Sequence, residues 1–450
     1  MDNPGVAFGI AFALTLAVAL IQAAKPFYFD SGNYWALGET FVRRGSFSLL
    51  NFNSPLRGYV LPLIDHCLSA LAQVLHWRAS TSAKLFNALV FSLSSALLAP
   101  LLAEVWWPGR WGVRRRLALT ALFLLFWSGY LNFPLSDFPA LAMVLLAIVA
   151  VSRADELGWA LLAGLATGLA IDMRPSYVLL APAVLSLALW RWFEQRRDGV
   201  GRLTVYLAVM SAAFVAVSLP QSLISHRYFR TWSFVPGSAI HLESLQLTEG
   251  LRVQRVSGYV GMGHPPLMTY EDASGQKLLA KQKEHVVVDL NQYLGLVADH
   301  PVTMAGVFSR HVINGLDQRY STPYIEHLDS GSRRWLRLFG FLLVFLGLLR
   351  VLWSKARPIL GASRWRYPAA LLICCLTAVP SAMETRYMLP IYLLSYILVL
   401  APGWPNPIDN EAAGLRRFRT LAIIVVAYVM FMAVVLHVVG EANNHLHFAS

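Results

Sequence analysis

Residues 58–77, Gly-Tyr-Val-Leu-Pro-Leu-Ile-Asp-His-Cys-Leu-Ser-Ala-Leu-Ala-Gln-Val-Leu-His-Trp, form an apolar run whose relation to the bilayer decides the topology of the whole chain. The run is long enough to cross. Asp65 and His66 lie inside it, however, and ionisable side chains are costly in hydrocarbon. Around it, other apolar runs occur near 5–24, 83–105, 117–134, 138–152, 158–173, 177–192, 203–222, 335–353, 367–383, 387–402 and 420–439, eleven in all. No internal repeat or low-complexity tract interrupts the pattern.

Charge parity settles the status of residues 58–77. Four connectors are strongly basic: Arg110/Arg114/Arg115/Arg116, Arg191/Arg196/Arg197/Arg202, Lys355/Arg357/Arg364/Arg366 and Arg416/Arg417/Arg419. Short basic connectors favour the cytoplasmic side, and the eleven runs put all four on one side. With the N-terminus inside, a crossing at 58–77 would move every one of them outside. The run is therefore predicted to be re-entrant or to lie at the interface, with both ends on the outer side and the C-terminus outside. Two long connectors, about 25–57 and about 223–334, then face outward, and His300–Arg319 has the amphipathic spacing of a surface-lying helix.

The expected fold class is all-α: a polytopic membrane protein of about eleven transmembrane helices, with juxtamembrane helices in the first outer loop. Three units follow. Residues 1–222 form an N-terminal transmembrane module that includes the first outer loop, 25–82; residues 223–334 form a large outer loop; residues 335–450 form the C-terminal helices. The composition agrees, with 56% hydrophobic and 14% charged residues, against roughly 25% charged in soluble domains. The net charge of +12 sits largely in the short connectors, so a nucleic-acid partner is rejected. Cys67, Cys374 and Cys375 lie in apolar stretches and offer neither a disulfide framework nor a metal-ligand spacing. The first run lacks the basic start of a signal peptide and is read as a retained first helix.

Under this topology the ionisable residues at helix ends collect on the outer face: Asp30, Asp137, Asp172, Arg174, Glu384 and Arg386. Each has an ordinary reading. Asp30 and Asp137 suit helix N-termini, and Arg174 and Arg386 suit snorkelling anchors. Their shared face points to a site. A carboxylate supplies a general base, and guanidinium groups match phosphate oxygens, which fits an amphiphilic phosphate ester. The chain has no phosphate-binding Gly-x-x-x-x-Gly-Lys loop, no dinucleotide fingerprint, no His-Glu-x-x-His and no Gly-x-Ser-x-Gly.

Four segments carry a resemblance: Phe29-Asp30-Ser31-Gly32-Asn33-Tyr34, Arg57-Gly58-Tyr59-Val60-Leu61-Pro62, Ser136-Asp137-Phe138-Pro139 and Arg386-Tyr387-Met388-Leu389-Pro390. In order and spacing they resemble the GT-C superfamily of membrane glycosyltransferases, among them protein mannosyltransferases, the lipid A aminoarabinose transferase and arabinofuranosyltransferases. The likeness covers most of the chain outside 223–334. That family likewise places the segment after the first loop at the outer membrane surface.

The resemblance implies a polyprenyl-phosphate sugar donor and inversion at the anomeric carbon. Asp30 would deprotonate the acceptor hydroxyl, with Asp137 as a second catalytic carboxylate. Arg386, Arg174 and Arg57 would hold the donor phosphate, and Tyr34, Tyr59, Tyr387 and Glu384 would line the donor and acceptor pocket. Metal-dependent relatives carry paired acidic residues in the first loop, whereas Ser31 and Gly32 follow Asp30 here. No cofactor and a metal-independent reaction are therefore expected, although Asp137 leaves room for a divalent cation.

The expected partners are the lipid-linked donor, an acceptor glycan, lipid or protein, and membrane lipids. The expected location is the bacterial cytoplasmic membrane, with the active site on its periplasmic face. The alternatives are a lipid-linked-sugar flippase or transporter, and an O-antigen ligase-like transferase using a diphosphate-linked donor. Acceptor determinants are sought in 223–334, where His241, Glu243, His264, Glu271 and Asp272 are candidates.

Overall fold

The computed structural model describes residues 3–107, 109–153, 156–195, 200–261, 267–282, 285–328, 334–355, 365–402, 414–444 and 446–449. Arg196, Arg197, Arg357, Arg364 and His264 lie outside the described residues, as do the side chains of Lys355, Arg416, Arg417 and Arg419. A helix coincides with each of the eleven apolar runs. These are α1 (Pro4–Ile21), α4 (Ala79–Ser92) continued through a π-turn into α5 (Ala99–Trp106), α6 (Val113–Trp127), α7 (Asp137–Ser152), α8 (Leu157–Met173), α9 (Leu180–Gln195), α10 (Val200–Phe229), α15 (Arg334–Lys355), α16 (Arg366–Leu376), α17 (Leu389–Leu400) and α18 (Gly414–Asn444). Among the described residues, six segments are long and apolar enough to cross a membrane: Pro4–Ile21, Ala79–Trp106, Pro175–Glu194, Gly201–Phe229, Arg334–Leu352 and Ala422–Ala442. This is the make-up of a helical membrane protein.

Two ends of the helical bundle can be told apart by contact. At one, Trp107 Nε1 and Arg350 Nη2 both donate to Pro402 O, at 3.1 and 2.7 Å, and Trp106 packs on Trp365 at 5.7 Å. The described ends of α5, α15, α16 and α17 therefore converge. At the other end, Lys84 Nζ donates to Gln22 O at 2.6 Å and Gln22 Nε2 to Ser128 O at 3.3 Å.

The 58–77 run forms α3 (Val60–Val74). Its first amide, Val60 N, donates to Asp172 Oδ1 at 2.8 Å at the C-terminus of α8. The next helix, α4, starts beside Gln22. Thus α3 begins and ends at the same end of the bundle, opposite Trp107, Arg350 and Pro402. Asp65 is shielded by protein at 1% exposure, with no partner for either oxygen among the described residues. Burial pushes its carboxyl well above the usual range.

Helix α7 is buried along nearly its whole length, as expected of a segment apolar on every side. It packs against α8, which packs in turn on α10 through small residues. A Cβ on Gly164 would lie 2.1 Å from Met210 O, and one on Gly168 would lie 2.9 Å from Val217 Cβ. Small residues four apart let helix backbones approach closely. Gly164→Val should accordingly cost about 1–3 kcal/mol through overpacking, seen as a lower melting temperature of the purified protein. Unchanged melting would contradict this account of the α8–α10 contact.

The chain is predominantly helical, as expected of an all-α membrane protein, and its large loop adds a small sheet. Segment 230–328 holds α11 (Leu242–Arg252), α12 (Ala273–Leu279), α13 (Leu290–Asp299) and α14 (Pro301–Gly315), but also strands β3 (Val253–Tyr259), β4 (Leu267–Glu271) and β5 (Tyr324–Ile325). With β6 (Leu446–Ala449) they make a four-stranded sheet in the order β5-β3-β4-β6. The β3–β5 pair is parallel and the others are antiparallel. Met268 and Tyr270 alternate inward along β4 onto Ile325 and Ala442. The C-terminus therefore joins the sheet of the large loop, and α10 runs to Phe229 rather than ending at 222. In the first loop, α2 (Phe29–Leu37) precedes a hairpin of β1 (Val42–Arg43) and β2 (Ser46–Phe47).

Candidate functional site

Four connectors at the end of the bundle opposite Trp107 and Pro402 bring the charged residues together. Asp30 lies in the first turn of α2, where Tyr28 occupies the N-cap, so the capping role open to Asp30 is not the one it takes. Phe29, just before it, has φ +43°, a sparsely populated conformation for an aromatic residue that costs on the order of 1–3 kcal/mol. Its ring is clamped between Tyr324, at 5.5 Å, and Gly258, where a Cβ would come within 2.9 Å of the ring. Asp137 lies in the first turn of α7 and is fully buried. Arg174 follows α8, and Glu384, Arg386 and Tyr387 belong to the turn between α16 and α17.

Arg386 is the hub. Its Nη2 donates to Asp30 Oδ2 at 2.7 Å and to Glu384 Oε1 at 2.8 Å, its Nε lies 2.8 Å from Glu384 Oε2, and its Nη1 lies 3.5 Å from Asp137 Oδ2. Arg57 pairs with the other oxygen of Asp30 and stacks 5.0 Å over the Tyr34 ring. Arg174 pairs with Asp137 and lies 4.8 Å over the ring of Tyr387, whose hydroxyl donates to Glu384 Oε1 at 2.9 Å. Three carboxylates thus face three guanidinium groups, leaving the cluster close to neutral. Burial alone would raise the Asp30 carboxyl. Arg386 and Arg57, with a weaker contribution from Arg174, outweigh it and hold Asp30 below the ordinary carboxylate range.

Of the residues singled out from sequence, Asp30, Arg57, Tyr34, Asp137, Arg174, Glu384, Arg386 and Tyr387 meet in this cluster. Tyr59 and Asp172 do not. Tyr59 Oη donates to Val217 O at 3.0 Å on α10. Asp172 receives the first amide of α3, and a Cβ on Gly58 would lie 2.2 Å from its carbonyl oxygen. Both residues join α3 to α8 and α10, because the close approach at Gly58 turns them away from the arginines.

A small pocket of ≈20 Å³ opens beside Arg386 and Glu384, walled by β3 and residues 320–325 and including Tyr130, Arg255, Ser257, Tyr320 and Thr322. None of these five was singled out from sequence. The strand that carries Arg255 is stitched to the Arg386 turn, since Val256 N donates to Met383 O at 2.9 Å and Met383 N to Gln254 O at 3.3 Å. Such pairing spans more than a hundred residues and leaves no local signal.

The loop candidates fall elsewhere. Asp272 caps α12 and forms a two-pronged pair with Arg310 at 2.8 Å. His241 and Glu243 start α11, and Glu271 ends β4. No group of three His, Cys, Asp or Glu residues suited to a metal ion occurs among the described residues.

The Asp137–Arg174 pair is almost wholly buried. Asp137→Asn leaves Arg174 without its main counter-charge and should destabilise the protein by about 3–5 kcal/mol. Arg174→Met added to that variant should recover part of the loss, because the uncompensated charge is gone. A single Asp137→Asn variant that melts like the wild type would show that the pair carries no such load.

Compared with known proteins, the chain matches no family model and no curated protein.

Proposed function

We propose that the protein is a membrane glycosyltransferase of the GT-C kind that moves a sugar from a polyprenyl-phosphate donor to an acceptor hydroxyl. The observation that carries this reading is the Asp30 carboxylate held between Arg57 and Arg386 at the end of the bundle opposite Trp107 and Pro402. A base sits directly beside two phosphate-matching cations. A single base suffices because a phosphate leaves without protonation, whereas glycosidases need a second carboxyl group to protonate an alkoxide.

In the proposed step, Asp30 accepts the proton of the acceptor hydroxyl. The freed oxygen forms a bond to the anomeric carbon from the face opposite the phosphate. The bond from that carbon to the phosphate oxygen breaks, and its electron pair stays on the phosphate, where Arg386, Arg57 and Arg174 stabilise the developing charge. No metal is assigned to the step. The proposed topology has eleven spans, basic loops in the cytoplasm and the cluster at the outer face of a bacterial cytoplasmic membrane. The position of both ends of α3 on the cluster side supports it.

Transporters bind near the middle of the membrane, whereas these charges gather at one end of the bundle. A transfer assay in proteoliposomes separates the two activities. With isotopically labelled polyprenyl-phosphate sugar and a membrane extract as acceptor source, a transferase makes a labelled product with a new glycosidic bond. Label that crosses the bilayer still attached to its original lipid would point to transport and against this proposal. Reporter fusions at residues 80 and 112 should report opposite sides, 80 outside and 112 inside. Both on the cytoplasmic side would contradict the topology.

A further inference from the structure

We propose that Tyr324 and Gly258 are positioning residues for Asp30, so that the large loop clamps the turn carrying the base. The inference rests on the glycosyl-transfer reading for the role of Asp30 and on the Phe29 contacts for its substance.

The turn is not held by its own backbone preference. Phe29, directly before Asp30, has φ +43°, and an aromatic residue free of tertiary contacts leaves that region for negative φ. Such a change at Phe29 re-aims the residue that follows. Asp30 would then swing away from Arg57 and Arg386, with which it pairs. Ser31 N and Gly32 N reach back to Tyr28 O at 3.0 and 3.3 Å, but these bonds lie within the turn and do not hold the Phe29 ring.

The groups that hold the ring belong to the loop. Strands β3 and β5 pair in parallel with Gly258 opposite Tyr324, and the Phe29 ring packs on that pair, 5.5 Å from the Tyr324 ring. A Cβ at position 258 would lie 2.9 Å from Phe29 Cε2 and 3.0 Å from Tyr324 Cδ1. The backbone of Gly258 is outside the left-handed region, so space rather than conformation calls for glycine there. Tyr324 Oη accepts Ser31 N at 3.2 Å and so fixes the same turn from its other side. Tyr324 is itself anchored to the bundle. It is 5% exposed, its ring meets that of Phe133 edge-on at 4.8 Å, and nearby Ser321 O takes Gly129 N at 2.9 Å. The turn between α6 and α7 thus holds the strand that holds Phe29, and the base is in place only while the loop is docked.

The test compares full-length wild type, Gly258→Ala, Tyr324→Phe and Phe29→Ala in lipid nanodiscs. Gly258→Ala should displace the Phe29 ring and speed hydrogen exchange across residues 28–34 at least about tenfold. Its kcat for transfer should fall at least about tenfold, part of the worth of a positioned base. Its polyprenyl-phosphate affinity should equal or exceed that of wild type, which also shows the variant to be folded. Tyr324→Phe keeps the ring and loses one neutral hydrogen bond, so kcat should fall about two- to tenfold. Gly258→Ala combined with Phe29→Ala should lose no more than the worse single variant, because both act through one contact.

A positioning role also moves the pH profile. Burial raises the Asp30 carboxyl, and Arg386, Arg57 and Arg174 together hold it below the ordinary range. Tyr324 and Tyr387, which also face it, are pushed up and stay neutral throughout. Displaced from the arginines in Gly258→Ala, Asp30 should give kcat/KM an acid limb at higher pH than in wild type. Wild-type exchange at 28–34, an unreduced kcat or an unshifted profile in folded Gly258→Ala would overturn the proposal. Should that variant not fold, Tyr324→Phe decides, with wild-type kcat and exchange as the contradicting result. Absence of transfer by wild type would sink the glycosyl-transfer reading alone, and the clamp would then stand or fall on the exchange measurement.

Discussion

Asp30→Asn leaves a folded protein that has lost transfer by about 100- to 10,000-fold, the usual worth of a positioned general base. The side chain keeps its shape and its carbonyl acceptor, so the pocket persists. The charge balance of the cluster changes from three against three to two carboxylates against three guanidinium groups. Arg57 and Arg386 then lack their shared counter-ion, and a donor phosphate can take that place. Donor affinity should therefore be equal to or tighter than wild type, a pairing of outcomes that simple misfolding would not give. Near-normal transfer by this variant would remove Asp30 as the base.

The pH dependence has a definite sign. The Asp30 carboxyl lies below its ordinary value of about 3.9, because the arginines outweigh burial. A depressed carboxyl contributes stability that is present above the unfolded value and lost as pH falls through the folded one. Asp30 is thus ionised in the free enzyme throughout the neutral range. The profile of kcat/KM should show no loss from this group until below about pH 4. An acid limb near neutrality that disappears on replacing Asp30 would contradict the arrangement.

Arg386→Ala should have the largest effect on donor binding. One guanidinium bridges Asp30, Glu384 and Asp137, so its removal leaves three carboxylates against two arginines in a half-buried space. Breaking such a buried network costs about 3–5 kcal/mol of stability. Loss of the planar fork and of the charge should also weaken polyprenyl-phosphate binding by about 100-fold. Arg386→Lys separates the two effects. It preserves the charge balance and the fold, and should bind the lipid about tenfold more weakly, because an ammonium group is a point donor. Unchanged affinity in a folded Lys variant would exclude Arg386 from holding the phosphate.

How much of this was legible in the sequence differs by element. The helices are, because long apolar runs declare themselves, and the parity of basic connectors sets 58–77 apart from the other runs. Most of the cluster was also visible, since Asp30, Asp137, Arg174 and Arg386 each sit at the break between an apolar run and a turn. Tyr59 turns to α10 and not to the arginines, because spacing shows which end of a helix a residue occupies and not which neighbour it faces. The sheet was missed for a related reason. Its strands are short, and their partners lie far apart, β6 at the C-terminus and β5 some sixty residues beyond β3. Arg255 was one basic residue among many in a polar loop, and only its pairing with Met383 brings it beside Arg386.

The central claim is that Asp30, Arg57 and Arg386 form the binding and reaction site for a lipid-linked sugar phosphate. The most direct measurement is mass spectrometry of the lipid that co-purifies with the Asp30→Asn protein, with Arg386→Lys prepared in parallel. The account predicts a polyprenyl monophosphate carrying a single sugar on Asp30→Asn, and much less of it on Arg386→Lys. A polyprenyl diphosphate glycan, or the same lipid in equal amounts on both variants, would contradict it.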